Sequence, residues 1–184
     1  VGHIKGGKPG KTVALRADID ALPVIEQTGV SYSSKKEGLM HACGHDGHTA
    51  MLLGAARMLT EVQNEIPGEV RLLFQEGEEI FSGAKKIVAD GGMDGVDAVF
   101  GMHGMPIDIG FYDIKPGYRM AGCDTIYVKF EGVSGHGSSP HLAKDTILPA
   151  AEFVTQLNAM ITKFVNSQSP LVLTVGKFDA GTKA

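Results

Sequence analysis

The chain has 184 residues, 43% of them hydrophobic and 21% charged, and a formal net charge of −4 at pH 7. That length suffices for one medium domain, or for one domain plus a smaller satellite, without disulfide staples, and two cysteines, Cys43 and Cys123, cannot build a secreted disulfide framework. The acidic balance and the lack of a Lys/Arg stripe argue against a nucleic-acid partner, and the absence of a bilayer-length apolar run or a visible signal peptide argues against a membrane, so a reducing, cytoplasmic location is expected.

Gly6 to Gly10 reads as a turn-rich opening, and Thr12-Val-Ala-Leu-Arg-Ala17 as a buried strand that runs into Asp18-Ile-Asp-Ala-Leu-Pro23. Pro23 ends regular structure there, and residues 24–40 are polar and irregular. From Thr49 to about Val62, Met51, Leu52, Ala55, Met58, Leu59 and Val62 recur at helical spacing. Pro67-Gly68 breaks the chain before a second strand, Glu69–Gln75, which leads into Glu76-Gly-Glu-Glu79. A helix is expected over Ser82–Ala89, closed by Gly91-Gly92, and a third strand over Ala98–His103. Strands alternating with helices predict an α/β fold, a sheet covered by helices.

The pattern restarts after a boundary near residues 117–122. Thr125–Phe130 alternates as a half-buried strand, with Cys123 at its opening read as a buried hydrophobe. Residues 132–140 form a loop rich in glycine and serine. Asp145 to about Phe164 reads as a long helix with Ile147, Ala150, Ala151, Val154, Leu157 and Ile161 on one stripe, and Leu171–Val175 as another strand. The chain starts at Val1 and stops at Ala184 just after that run, so it is expected to be a fragment of a longer protein.

His41-Ala-Cys-Gly-His-Asp-Gly-His48 packs three imidazoles, a thiol and a carboxylate into eight residues, a set of nitrogen, sulfur and oxygen donors suited to metal. Cys43 and His45, two apart around Gly44, point the same way in an extended segment. Asp46 and His48 then alternate away or begin the helix. Polar groups also close three strand ends: Asp18 and Asp20, Glu78 and Glu79, and His103. In open α/β sheets ligands bind outside the carboxyl ends of the strands, so these groups can converge on one site. Adjacent carboxylates such as Glu78 and Glu79 point in different directions, leaving one free to bind a metal ion while the other faces bound water. His136, flanked by glycines, can approach a substrate carbonyl. Gly10-Lys-Thr12 is no phosphate loop, because Lys5 stands where its first glycine belongs and a strand follows it.

Taken together, Leu15-Arg-Ala-Asp-Ile-Asp-Ala-Leu-Pro23, Met40-His-Ala-Cys-Gly-His-Asp-Gly-His-Thr49, Phe74-Gln-Glu-Gly-Glu-Glu79, Gly101-Met-His103 and Gly135-His-Gly-Ser-Ser-Pro-His141 resemble the aminoacylase/carboxypeptidase family of dinuclear metallohydrolases, in its amidohydrolase branch. The resemblance implies a zinc-peptidase-like catalytic domain over residues 1–119, with a mixed sheet and flanking helices. It also implies an incomplete α+β satellite (lid or dimerisation) domain over residues 120–184. It assigns Cys43, His45, Glu79 and His103 as ligands of two divalent ions, zinc or else manganese, cobalt or nickel. Glu78 becomes the general base and Asp20 the group that orients a ligand. Asp18 falls at a seat that holds a metal-binding histidine in other branches, and its role stays open. His136 matches a histidine that reaches the partner subunit's site in a homodimer and helps bind substrate.

The implied reaction is hydrolysis of the amide bond of an N-acyl amino acid, hippurate-like or acetyl-amino-acid-like. A dipeptidase or deacetylase with the same chemistry, or a non-catalytic metal-binding dimerisation module, is the rival reading. The family usually has Gln-Pro-Ala-Glu-Glu where this chain has Gln75-Glu-Gly-Glu-Glu79. The family's last metal-binding histidine lies far downstream of Ala184, so the fragment alone is expected to be inactive or weakly active.

Overall fold

A computed structural model describes residues 1–181. The chain divides into two compact units, Val1–Phe111 and Tyr112–Ala184. The first holds a four-stranded sheet in the order β1-β3-β2-β4, built from β1 (Gly2–Lys5), β2 (Lys8–Asp18), β3 (Pro67–Gln75) and β4 (Ala98–Gly101). β2 runs parallel to both β3 and β4, and β1 is antiparallel to β3. The sheet is therefore mixed, as expected, and its three parallel strands finish at the same rim. The register sets Asp18 beside Gln75 and Arg16 beside Gly101. The rim is continued by Ile19 N–H, which donates to the Gln75 carbonyl at 2.8 Å.

Two helices accompany this sheet, α1 (His45–Glu61) and α2 (Gly83–Ala89). Leu52, Ala56 and Leu59 recur on one face of α1, and pack against Ile4, Ala17, Val70 and Leu72 of the sheet. Burial of a side chain like Leu52 contributes about 1.5–3 kcal/mol. The apolar stripe is narrower than its periodicity suggests, since Met51, Met58 and Val62 are exposed. The helix also begins one turn earlier than expected. Gly44, at φ 81° and ψ 10°, takes the left-handed conformation just before it. Asp46 then lies in the first turn, where a carboxylate is favoured by the helix dipole.

In the second unit, α3 (Ile147–Phe164) starts where Asp145 Oδ1 accepts the Ile147 N–H at 2.9 Å. Ala150 is its buried residue, and Phe153 meets Phe130 edge-on with ring centroids 5.8 Å apart. The strands expected at 125–130 and 171–175 are absent among the described residues: both segments lack ladder partners, and the second unit's one bridge joins Val133 to Lys144. An apolar alternating pattern becomes a strand only when its N–H and C=O groups find partners. Cys123, expected to be buried, is exposed for the same reason. No helix among the described residues is long and apolar enough to cross a membrane.

Candidate metal centre

The sheet rim and the start of α1 bring six of the seven sequence-predicted site residues together within the first unit. His45 lies at the middle, 1% exposed. Its Nδ1 faces the Asp20 carbonyl oxygen at 3.0 Å and Asp20 Oδ1 at 3.2 Å. Both partners are acceptors, so the neutral ring carries its proton on Nδ1 and presents a lone pair at Nε2. Among the described residues, His45 Nε2 and Glu79 Oε1 are the buried side-chain atoms without a hydrogen-bond partner. The two lie 3.7 Å apart, and Glu78 Oε2 is 3.9 Å from the same nitrogen.

Two buried lone pairs aimed at each other are costly unless something positive lies between them. Two ligand atoms, each about 2.1 Å from one ion at a tetrahedral angle, stand about 3.4 Å apart, close to the observed spacing. On the other flank His103 Nδ1 donates to the Gly104 carbonyl at 2.7 Å, which turns Nε2 toward Cys43 Sγ at 3.5 Å. A sulfur at about 2.3 Å and a nitrogen at about 2.0 Å from a shared tetrahedral ion would be about 3.5 Å apart. Three donor groups are close enough to hold an ion: Cys43, His45 and His103; His45, Glu78 and Glu79; and Asp18, His45 and His48. His45 belongs to all three. The residues present therefore fit divalent metal, in number, softness and orientation.

The electrostatics agree. Burial pushes the Cys43 thiol up, and the hydrogen bond and charge of Glu79, with the charges of Glu78 and Asp18, push it further. An anionic pocket that keeps a thiol protonated is one that a cation would relieve. Burial alone would raise the Asp20 carboxyl, but the backbone N–H groups of Glu79, Asp20 and Glu78 hold it below its ordinary range. One of these bonds, Glu79 N–H to Asp20 Oδ2, measures 3.1 Å. Asp20 thus grips both the ring of His45 and the backbone of Glu79.

The loop bearing Glu78 and Glu79 is wound tightly against the start of α2. Phe81 N–H donates to the Glu78 carbonyl at 2.9 Å, and Ser82 N–H to the Gly77 carbonyl at 3.1 Å. A Cβ on Gly83 would lie 1.4 Å from the Glu76 carbonyl oxygen. Gly83→Ala must therefore push the loop away, and a destabilisation of about 3 kcal/mol or more is expected. A urea denaturation midpoint would report it.

Asp18 and His48 are the residues that sequence reasoning left without a role. Asp18 is fully buried and His48 is 3% exposed. They meet through His48 Nδ1 and Asp18 Oδ1 at 2.6 Å, and Arg16 Nη1 donates to Asp18 Oδ2 at 2.8 Å. With α1 starting at His45, residues 45 and 48 share a helix face, a signal that a helix start at Thr49 conceals. Burial would raise the Asp18 carboxyl, but the His48 hydrogen bond and the charge of Arg16 outweigh it and hold the group low. A depressed carboxylate adds stability that is present above its unfolded value, about pH 3.9, and is lost as pH falls through the folded value. In metal-free protein, Asp18→Asn should therefore lower stability at pH 6 and flatten the acid loss below about pH 4. Urea titrations between those pH values would measure both.

His136 lies in the second unit, on an exposed turn. Its Nδ1 faces Ser138 N–H at 3.2 Å and Ser138 Oγ at 2.8 Å. The N–H makes Nδ1 an acceptor, so the neutral ring carries its proton on Nε2, directed outward as a donor.

The sequence model of Peptidase family M20/M25/M40 matches residues 14–183. An N-acetyl-L-cysteine deacetylase of Bacillus subtilis is 47% identical over 180 residues, covering 97% of this chain and 43% of that protein. An N-acyl-L-amino acid amidohydrolase of Geobacillus stearothermophilus is 46% identical over 179 residues, covering 96% of this chain and 48% of its own. The chain thus spans about half the length of the curated relatives it matches. A solved structure of a protein from methicillin-resistant Staphylococcus aureus superposes with a TM-score of 0.78 at 41% identity, over 98% of this chain and 49% of that one. A dinuclear metal-binding peptidase of the M20 family from Bacillus subtilis matches with a TM-score of 0.55 at 51% identity, over 56% of this chain and 29% of that one.

Proposed function

The chain belongs to peptidase family M20/M25/M40, and on that premise we propose that the full protein is a metal-dependent amidohydrolase that cleaves the amide bond of N-acyl amino acids. Cys43, His45, Glu79 and His103 would hold two divalent ions together with a ligand from outside this chain segment. The thiolate favours zinc, and the carboxylates also suit manganese, cobalt or nickel. Bound there, the ions would supply a water acidified to a pKa near about 7 and a Lewis acid for the amide carbonyl.

The chain's own residues do the rest. Asp20 holds His45 in the tautomer that presents Nε2. Glu78 takes the proton of the attacking water on its carboxylate and delivers it to the departing amine nitrogen. Across the proposed homodimer, His136 of one protomer hydrogen-bonds through its Nε2–H to the carbonyl oxygen of substrate held in its partner's site, stabilising the developing oxyanion. Residues 1–119 form the catalytic domain in this reading, and residues 120–184 the start of a satellite domain through which the protein pairs as a homodimer. A reducing cytoplasm, where Cys43 persists as a thiol, is the proposed compartment.

One observation carries the proposal: a buried imidazole nitrogen and a buried carboxylate oxygen, both unpartnered, face each other at 3.7 Å beside a second carboxylate. The names of the relatives support the substrate class, since two of them act on N-acetyl-L-cysteine and N-acyl-L-amino acids. Metal-loaded full-length protein assayed against hippurate, N-acetyl amino acids and unmodified dipeptides should release amino acid fastest from the acylated substrates. A preference for dipeptides would assign it as a dipeptidase. Metal uptake with no hydrolysis of any of the three would leave a binding module.

A further inference from the structure

We infer that Asp18 and His48 form a hydrogen-bonded brace that positions the metal ligand His103, and that neither of them ligates an ion itself. The inference rests on the ligand set proposed above. It separates that set from the third donor group, Asp18, His45 and His48, which distance alone would admit as a metal seat.

The protons decide between the two. Gly104 N–H donates to His48 Nε2 at 2.7 Å. A nitrogen that accepts cannot carry the ring proton, so the neutral imidazole holds it on Nδ1 and gives it to Asp18 Oδ1 at 2.6 Å. Both ring nitrogens of His48 are then engaged. Asp18 is anchored on both oxygens, Oδ1 by His48 and Oδ2 by Arg16. These satisfied groups contrast with His45 Nε2 and Glu79 Oε1, which have no partner. Seating an ion on His48 would break a bond to a backbone amide or to a buried carboxylate, whereas seating one on His45 and Glu79 breaks none.

The brace ends where it matters for binding. Gly104 follows His103, and its carbonyl accepts the His103 Nδ1 proton at 2.7 Å. Residue 104 is thus gripped on both sides, its N–H by His48 and its C=O by the ring of His103. β4 has already ended at Gly101, so no ladder bond holds this segment. The connection runs from Arg16 through Asp18 and His48 to Gly104, then to the ring whose Nε2 faces Cys43 at 3.5 Å. Partners that orient ligands in this way typically change metal affinity by about 10–100-fold when removed.

The test is cobalt binding to the full-length protein, measured by competition with a chromophoric chelator, with the cobalt–thiolate absorption as a second signal. His48→Leu should weaken cobalt binding about 10–100-fold without reducing the number of ions bound at saturation. His48→Gln places an amide oxygen near the position of Nε2, can accept the Gly104 N–H, and should restore most of the affinity. Wild-type affinity in His48→Leu would overturn the inference. So would a weakening that His48→Gln does not relieve, or the loss of an ion in either variant, since the latter makes His48 a ligand. If His48→Leu does not fold, His48→Gln decides alone: full stoichiometry near wild-type affinity supports the brace, and a lost ion or a large weakening refutes it. His103→Ala guards the underlying reading. If it leaves cobalt binding untouched, the ligand set itself fails. If it weakens binding while His48→Leu does not, only the brace fails.

Discussion

Glu78→Gln is expected to leave the full-length protein folded and metal-loaded while lowering kcat by about 10²–10⁴-fold. The substitution keeps the shape of the side chain and removes its capacity to take a proton. Folding should survive, because the loop around it is held by backbone bonds and by Asp20 rather than by the Glu78 carboxylate. Metal should survive because Glu79, not Glu78, supplies the orphaned oxygen beside His45. Steady-state kinetics on an N-acetyl amino acid, with metal content measured on the same sample, would check both halves. Activity close to wild type would remove Glu78 from the chemistry. Loss of metal along with activity would make it a ligand instead of a base.

His45→Ala is expected to have the larger effect on metal. This ring is the one side chain common to all three donor groups, and it is buried between Asp20 on one side and Glu79 on the other. Removing it leaves Glu78 and Glu79 with no nitrogen donor in their group. The affinity loss should exceed the about 100-fold upper range for removing a mere orienting partner, and both ions should be affected. Asp20→Asn supplies that milder reference, since it keeps an oxygen near Nδ1 but forfeits the charge that fixes the tautomer. Elemental analysis after dialysis against a weak chelator would rank wild type, Asp20→Asn and His45→Ala in that order. Equal metal content in all three would contradict the central place given to His45.

The parts of this centre that could be read from sequence are those placed by buried strands. Runs such as Val13–Ala17 and Leu72–Phe74 have to lie inside a sheet. Polar residues just past their ends, Asp20, Glu78 and Glu79, then have to gather at its rim. His103 followed from the same logic after Ala98–Gly101. The start of α1 was harder to read, because His45 and His48 are polar and buried, and hydrophobic periodicity registers only the apolar part of a helix face. Once the helix begins at His45, His48 turns inward onto Asp18, a contact between positions 30 apart that no local pattern encodes. β1 escaped notice because four residues, Gly-His-Ile-Lys, carry too little pattern to stand out. The segment at 125–130 alternates and that at 171–175 is an apolar run, yet both lack ladder partners, which a sequence pattern does not reveal. His136 was legible as a donor-bearing loop residue, and its tautomer became definable only through the contact with Ser138.

Anomalous X-ray scattering from crystals of the full-length protein, loaded with zinc or manganese, tests the metal centre most directly. The expected result is a pair of scatterers at the sheet rim, at bonding distances of about 2.0–2.3 Å from Cys43 Sγ, His45 Nε2, the Glu79 carboxylate and His103 Nε2. Scatterers seated elsewhere, with those four side chains bare, would contradict it.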